Sequence, residues 1–201
     1  MSPLIRRSAL VLLAALTACG RGTAAGPRAA ATVSDFSVYD LEAPWRDQTG
    51  AVRPLGSLGG RVQVVAMTYT HCRHTCPMIV AEFKRIEAGL TADEAGKVGF
   101  VLFSLDPARD TPERLGQYAR LARMQPERWT LLTGSDEQVR ELAALLGTRY
   151  RPEAGGEFSH SNSYLVLDAQ GHVIFRRDAL DGGTGEPLAQ IRSALQPAHA
   201  E

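Results

Sequence analysis

Two thiols, two imidazoles and a proline stand together in the segment HCRHTCP, His71 to Pro77. A disulfide between Cys72 and Cys76 would close a five-residue loop. On the chain-entropy model that is worth about 2 kcal/mol, against about 4.7 for a hundred-residue loop. Scaffolding is therefore a poor reason for the pair, which leaves redox or metal chemistry. Pro77 places Cys76 at the cap of a following helix, where the helix dipole favours a thiolate by about 0.3–2 kcal/mol. From an ordinary thiol value near ~8.5, that alone leaves much of the group protonated at neutral pH. A bound metal ion would deprotonate both sulfurs.

The donor set narrows the ion. Paired thiolates are soft ligands that select Cu(I) or suit zinc and iron–sulfur clusters. A cluster usually takes four cysteines, and the chain has three. Structural zinc prefers four closed ligands in two spaced pairs, and a tetrahedral set drawn from this one peptide would be strained. Haem attachment fails on spacing, since Pro77 stands where its histidine ligand belongs. Copper on two sulfurs and one imidazole fits best, provided a histidine arrives from elsewhere. His160, in FSHSNSYLVLD, is the candidate, although a histidine in such a loop is by itself more often hydrogen-bonded or exposed. His172 in a turn and His199 in the C-terminal tail carry no such expectation. His71 and His74 are transient ligands, cations that lower a thiol pKa, or exposed loop residues without a role.

The elements that must position these residues follow from periodicity. Residues 61–69 (RVQVVAMTY) and 98–106 (VGFVLFSLD) read as strands buried on both faces, and 129–134 (WTLLTG) as a third. Ile79, Phe83, Ile86 and Leu90 make one face of a helix after the cysteines. Thr111 and Pro112 open a helix carrying Leu115, Tyr118 and Ala122, and Ser135 with Gln138 forms a capping box over Val139, Leu142 and Leu146. A hairpin around Asp47–Gly50 precedes all of these. A second, SYLVLD to HVIFRR, closes the sheet through Asp168–Gly171, and Pro187–Leu195 offers a last helix. This order gives an α/β fold with a central mixed sheet flanked by helices, whose early strands are parallel and whose last pair is antiparallel. Ligands in such sheets gather beyond the C-terminal ends of the strands, where the cysteines fall.

With 201 residues the chain suits one domain with appendages, and its 22 basic and 22 acidic residues form no long like-charge run, so nothing points to nucleic acid as a partner. Arg6 and Arg7 precede an apolar run from Ser8 to Ala18, too short for a mature transmembrane helix but right for an export signal. The run ends in LTAC, which resembles the bacterial lipobox and makes Cys19 the expected lipid-bearing residue. The expected organisation is a lipoprotein-type signal peptide at 1–18, a flexible Gly/Ala-rich tether at 19–32 and the domain at 33–201. Such a protein sits in the bacterial cell envelope, anchored to a membrane by lipid and facing the periplasm.

The thiol pair followed by proline after Tyr69-Thr70, then SLDPARDTPERL, then HSNSYLVLDAQG, closely resembles the Sco/SenC family of copper-handling proteins, from about Val38 to Leu195. The resemblance implies a thioredoxin-like fold and a copper site, Cu(I) or Cu(II), on Cys72, Cys76 and His160. It also implies a copper acceptor such as a cytochrome c oxidase subunit, whose binuclear copper site is matured, and a periplasmic copper donor or thiol reductant. Asp106 and Asp110 match the family's D-P-x-x-D-T-P segment; Asp106 ends a strand beside the site and Asp110 helps start the next helix, a turn or cap role being at least as expected as one in copper transfer. His74 between the thiols, and a lipid in place of a transmembrane anchor, depart from the commonest pattern. The alternative function is a periplasmic thiol–disulfide oxidoreductase, with Cys72 and Cys76 as the redox-active pair reducing the acceptor's cysteines. A peroxiredoxin-like peroxidase is disfavoured, because Val65 and Tyr69 replace that family's proline and threonine.

Overall fold

The computed structural model describes residues 36–180 and 182–196. The segments expected as export signal and tether, with Cys19, and also His199 lie outside the described residues. A hairpin pairs β1 (Trp45–Asp47) with β2 (Val52–Arg53), its turn held by the Asp47 carboxylate, which accepts from the amides of Thr49 and Ala51. β3 (Val62–Thr68) runs to the cysteine loop, and α1 (Thr75–Ala88) leaves it. A single-turn helix, α2 (Ala92–Ala95), leads into β4 (Val98–Ser104), followed by α3 (Pro112–Leu121), β5 (Trp129–Thr133) and α4 (Asp136–Leu145). Then come β6 (Tyr150–Pro152), β7 (Phe158–His160), β8 (Tyr164–Leu167), β9 (Val173–Arg177) and α5 (Gly185–Leu195).

Seven strands form one mixed sheet in the order β2-β1-β5-β4-β3-β8-β9. The β3–β4 and β4–β5 pairs are parallel; β1, β8 and β9 join antiparallel. Every residue of β3 and β4 is buried, as a strand covered on both faces requires. Successive residues feed opposite cores because strand side chains alternate. Val65, Met67, Val101 and Phe103 meet Val139, Leu142 and Leu146 of the α4 segment on one face. Val64, Ala66, Phe100 and Leu102 meet Ile79, Phe83 and Ile86 of α1, Leu115 of α3 and Ile191 of α5 on the other.

The expected caps are present. Thr111 accepts from the Arg114 amide with Pro112 in the first turn, and Ser135 exchanges bonds with Gln138 in a full capping box. Three expectations are corrected. α1 begins at Thr75, with His74 at the cap, so Cys76 lies inside the first turn and not at the cap; proline is tolerated anywhere in that turn because its missing N–H has no partner there. Thr111, not Asp110, caps α3, and Asp110 is turned toward the cysteine loop. The segment bearing His160, expected as a loop, is a two-stranded antiparallel ribbon of β6 and β7 in which His160 pairs with Tyr150. Gly155 and Gly156, both at φ 79°, make its turn, a backbone region where a side chain would be strained.

Candidate metal centre

The loop between β3 and α1 is fixed from below. Asp110, fully buried, accepts from the Thr70 hydroxyl at 2.6 Å, the Thr70 amide at 3.1 Å and the Ser104 hydroxyl at 2.6 Å. Asp106 closes the turn after β4: its carbonyl accepts from the amides of Arg109 and Asp110, and its carboxylate pairs with Arg109. The same guanidinium donates to the Gly156 carbonyl and so ties that turn to the ribbon. His71 is half-buried with Nδ1 3.9 Å from Asp110. One potential donor atom from each of His71, Asp106 and Asp110 comes together, but both carboxylates are already engaged. His74 is exposed, and the His172 ring sits beside Asp168 in its turn.

Above this base the thiols take different positions. His74 supplies no side-chain cap to α1, and the Cys72 sulfur accepts the Cys76 amide at 3.4 Å in its place. The helix N-terminus thus acts on Cys72, the first thiol. Burial pushes the Cys72 thiol up, but hydrogen bonds from the Cys76 amide and thiol and from the His74 amide outweigh it and bring it to about 6. Cys76 is fully buried; that burial, then its bond to Cys72 and the charges of Cys72 and Asp110, push its thiol far above the ordinary range. The two cysteines are free, with no disulfide between them.

His160 reaches the pair from a distant segment, 84 positions beyond Cys76. Its Nε2 lies 3.4 Å from Cys76 Sγ and 3.2 Å from the Thr75 hydroxyl, and its Nδ1 is 3.0 Å from the Ser161 carbonyl. One donor atom from each of Cys72, Cys76 and His160 lies within 4.8 Å of the other two. All three residues picked out in the sequence for one site are brought together.

Tyr69 is the residue whose role the sequence left unread. Its hydroxyl donates to Glu157 at 2.8 Å and accepts from the Phe158 amide at 3.2 Å, while its ring meets Phe158 and His160 edge-on. Tyr69 therefore joins the end of β3 to the strand that carries His160. Its place directly after a buried strand, beside a cysteine loop, was the available signal.

The sequence profile of the SCO1/SenC family matches residues 31–196. The chain belongs to that family. A Stutzerimonas stutzeri relative is 34% identical over 121 residues, a stretch that spans only 58% of its own length. The SCO1 protein homolog of Bacillus subtilis is 27% identical over 146 residues, covering 71% of this chain and 75% of the homolog. Among solved structures, a SCO1/SenC family lipoprotein from Bacillus anthracis superposes with a TM-score of 0.69 at 23% identity, covering 76% of this chain and 92% of that one. Bradyrhizobium japonicum ScoI with copper bound gives 0.65 at 23%, covering 76% and 97%. BsSco, described as having a disulfide switch and as a member of the Sco family of cytochrome c oxidase assembly proteins, gives 0.66 at 24%, covering 75% and 90%. The SCO1/SenC fold accordingly accounts for the mixed sheet and flanking helices described above. Among the described residues no helix is long and apolar enough to cross a membrane.

Proposed function

We propose that this chain holds a copper ion on Cys72, Cys76 and His160 and passes it to an acceptor protein, such as the cytochrome c oxidase subunit that carries a binuclear copper site. The observation that carries this reading is the convergence of two free thiols and one imidazole from segments 84 residues apart. The donors fit the ion: thiolates are soft, imidazole suits copper, and three ligands leave room for an incoming one. Copper supplies no chemistry beyond being the cargo. The chain's residues gather it, exclude a closed four-ligand cage and release it by ligand exchange. The copper-bound Bradyrhizobium neighbour and the oxidase-assembly family of BsSco support the same reading.

Anaerobic titration of the reduced protein should show one Cu(I) per chain. Cys72→Ala, Cys76→Ala and His160→Ala should each weaken binding by more than the roughly 10- to 100-fold that losing an outer partner costs. Unchanged affinity in all three would end the metal reading.

A second reading rests on the unequal thiols. The Cys72 thiolate attacks a target disulfide, forming a bond to one target sulfur while the other leaves as a thiolate and takes a proton. Cys76 then gives up its proton and attacks Cys72, releasing the target as a dithiol and leaving a Cys72–Cys76 disulfide; the pair is oxidised by two electrons and the target reduced. His160→Ala separates the two activities, since copper retention needs the imidazole and exchange does not.

The organisation proposed from the sequence, a signal peptide at 1–18, a tether at 19–32 and the domain from 33, places the site in the periplasm on a lipid-anchored Cys19. The description of the Bacillus anthracis neighbour as a lipoprotein supports it. Mass spectrometry of membrane-extracted protein should find acylated Cys19, and an unmodified N-terminus would reject the anchor.

A further inference from the structure

Thr75 occupies the first position of α1, yet its hydroxyl points across the site and not along the helix. Thr75 Oγ1 lies 3.2 Å from His160 Nε2 and 3.8 Å from Cys72 Sγ, so one small group touches two of the three donor atoms. The third, Cys76 Sγ, is itself 3.4 Å from the same imidazole nitrogen.

Proton counting shows what that hydroxyl does. His160 Nδ1 faces the Ser161 carbonyl at 3.0 Å, and a carbonyl only accepts, so Nδ1 carries the ring proton. In the neutral ring Nε2 is then a bare lone pair, half-buried and in need of a donor. The Thr75 O–H supplies one. Its oxygen meanwhile stands within reach of a Cys72 S–H, which can donate to it, or of a Cys72 thiolate, which can accept from it. The hydroxyl has one proton and two acceptors within reach, and choosing between them takes only rotation about the C–O bond.

We propose that Thr75 is a positioning residue whose hydroxyl proton is given to His160 Nε2 when that lone pair is free and to Cys72 Sγ when the lone pair is engaged by a metal ion. This rests on the copper reading of the site. Without metal, the hydroxyl holds the ring of β7 over the thiols and satisfies its nitrogen. With the nitrogen engaged, the same proton serves the sulfur, and a hydrogen bond to a coordinated thiolate withdraws charge from it. Each state thereby keeps a partner for every donor atom, so uptake and release leave no group stranded.

Thr75→Val keeps the shape and branching of the side chain and removes the hydroxyl, while Thr75→Ser keeps the hydroxyl and removes the methyl. Nitrogen-15 NMR of the metal-free, reduced full chain reads the first state. In Thr75→Val the His160 Nε2 resonance should move toward that of an unbonded pyridine-type nitrogen, and in Thr75→Ser it should stay near the wild-type position. The sulfur-to-copper absorption band of the Cu(II)-loaded chain reads the second state. Losing a hydrogen bond at sulfur should shift this band to lower energy in Thr75→Val, with Thr75→Ser again like wild type. An unmoved Nε2 resonance, an unmoved band, or a serine variant that behaves like valine would overturn the role of Thr75. Absence of any thiolate band from the wild-type protein would instead overturn the copper reading, and the metal-free NMR result would still decide whether the hydroxyl holds His160.

Discussion

At the scale of the residue, the two thiols of one short loop are made chemically unequal by where each sulfur lies. Cys72 receives the amide of the first turn of α1 and is brought to about 6, while Cys76 is closed off by the protein and pushed up. Alkylation of the reduced, metal-free protein should therefore modify Cys72 first. Its rate should hold near a plateau at pH 7 and fall about tenfold per pH unit once the pH drops below the Cys72 value. Cys76 should stay unreactive across that range. The sign for stability follows from the same shift. The folded value of Cys72 lies below that of an unfolded thiol, near ~8.5, so its contribution is present above the unfolded value and is lost as pH falls through about 6. Comparing Cys72→Ser with the reduced wild type by denaturant unfolding across that window should show the pH slope removed. A rate profile with Cys76 reacting first would contradict the assignment of the helix N-terminus to Cys72.

At the scale of the element, the ribbon of β6 and β7 is the piece that makes a site out of a loop. Tyr69 is its clamp, and Tyr69→Phe removes the hydroxyl that bonds Glu157 and Phe158 while leaving the ring against His160. The loss should lower stability by roughly 0.5–1.5 kcal/mol. It should also speed hydrogen exchange at the Phe158 amide, which donates to that hydroxyl. Unchanged protection of Phe158 would mean that the ribbon is held by other contacts. The ribbon also marks where sequence reasoning stops. Seven-residue buried strands such as Val62–Thr68 and capped helices such as that after Ser135 announce themselves through local patterns. Strands of three residues, one of them ending in Pro152 and joined through Gly155 and Gly156, are too short to display alternation. Cys72 and Cys76 are conspicuous by type and spacing. His160 is less so: its partners are distant in sequence and a histidine in such a segment is more often hydrogen-bonded or exposed, so the family resemblance is what turns it from a candidate into the expected third ligand. The Pro77 signal misplaced the helix start, since proline fits several positions of a first turn.

At the scale of the whole molecule, the sheet order explains why the site is where it is. β3 lies between parallel β4 and antiparallel β8, so the segments leaving β3 and β4 emerge at one end of the sheet. The cysteine loop follows β3, the Asp106–Asp110 turn follows β4, and the ribbon that precedes β8 closes over both. The three donors converge there, with Cys72 and Cys76 buried and His160 half-buried. X-ray absorption of the copper-loaded, full-length chain measures that convergence directly. Two sulfur ligands and one nitrogen ligand are predicted for the wild type, with the nitrogen lost in His160→Ala and a sulfur lost in Cys72→Ala or Cys76→Ala. A wild-type spectrum without sulfur ligands, or a His160→Ala spectrum identical to it, would contradict a copper centre built from these three residues.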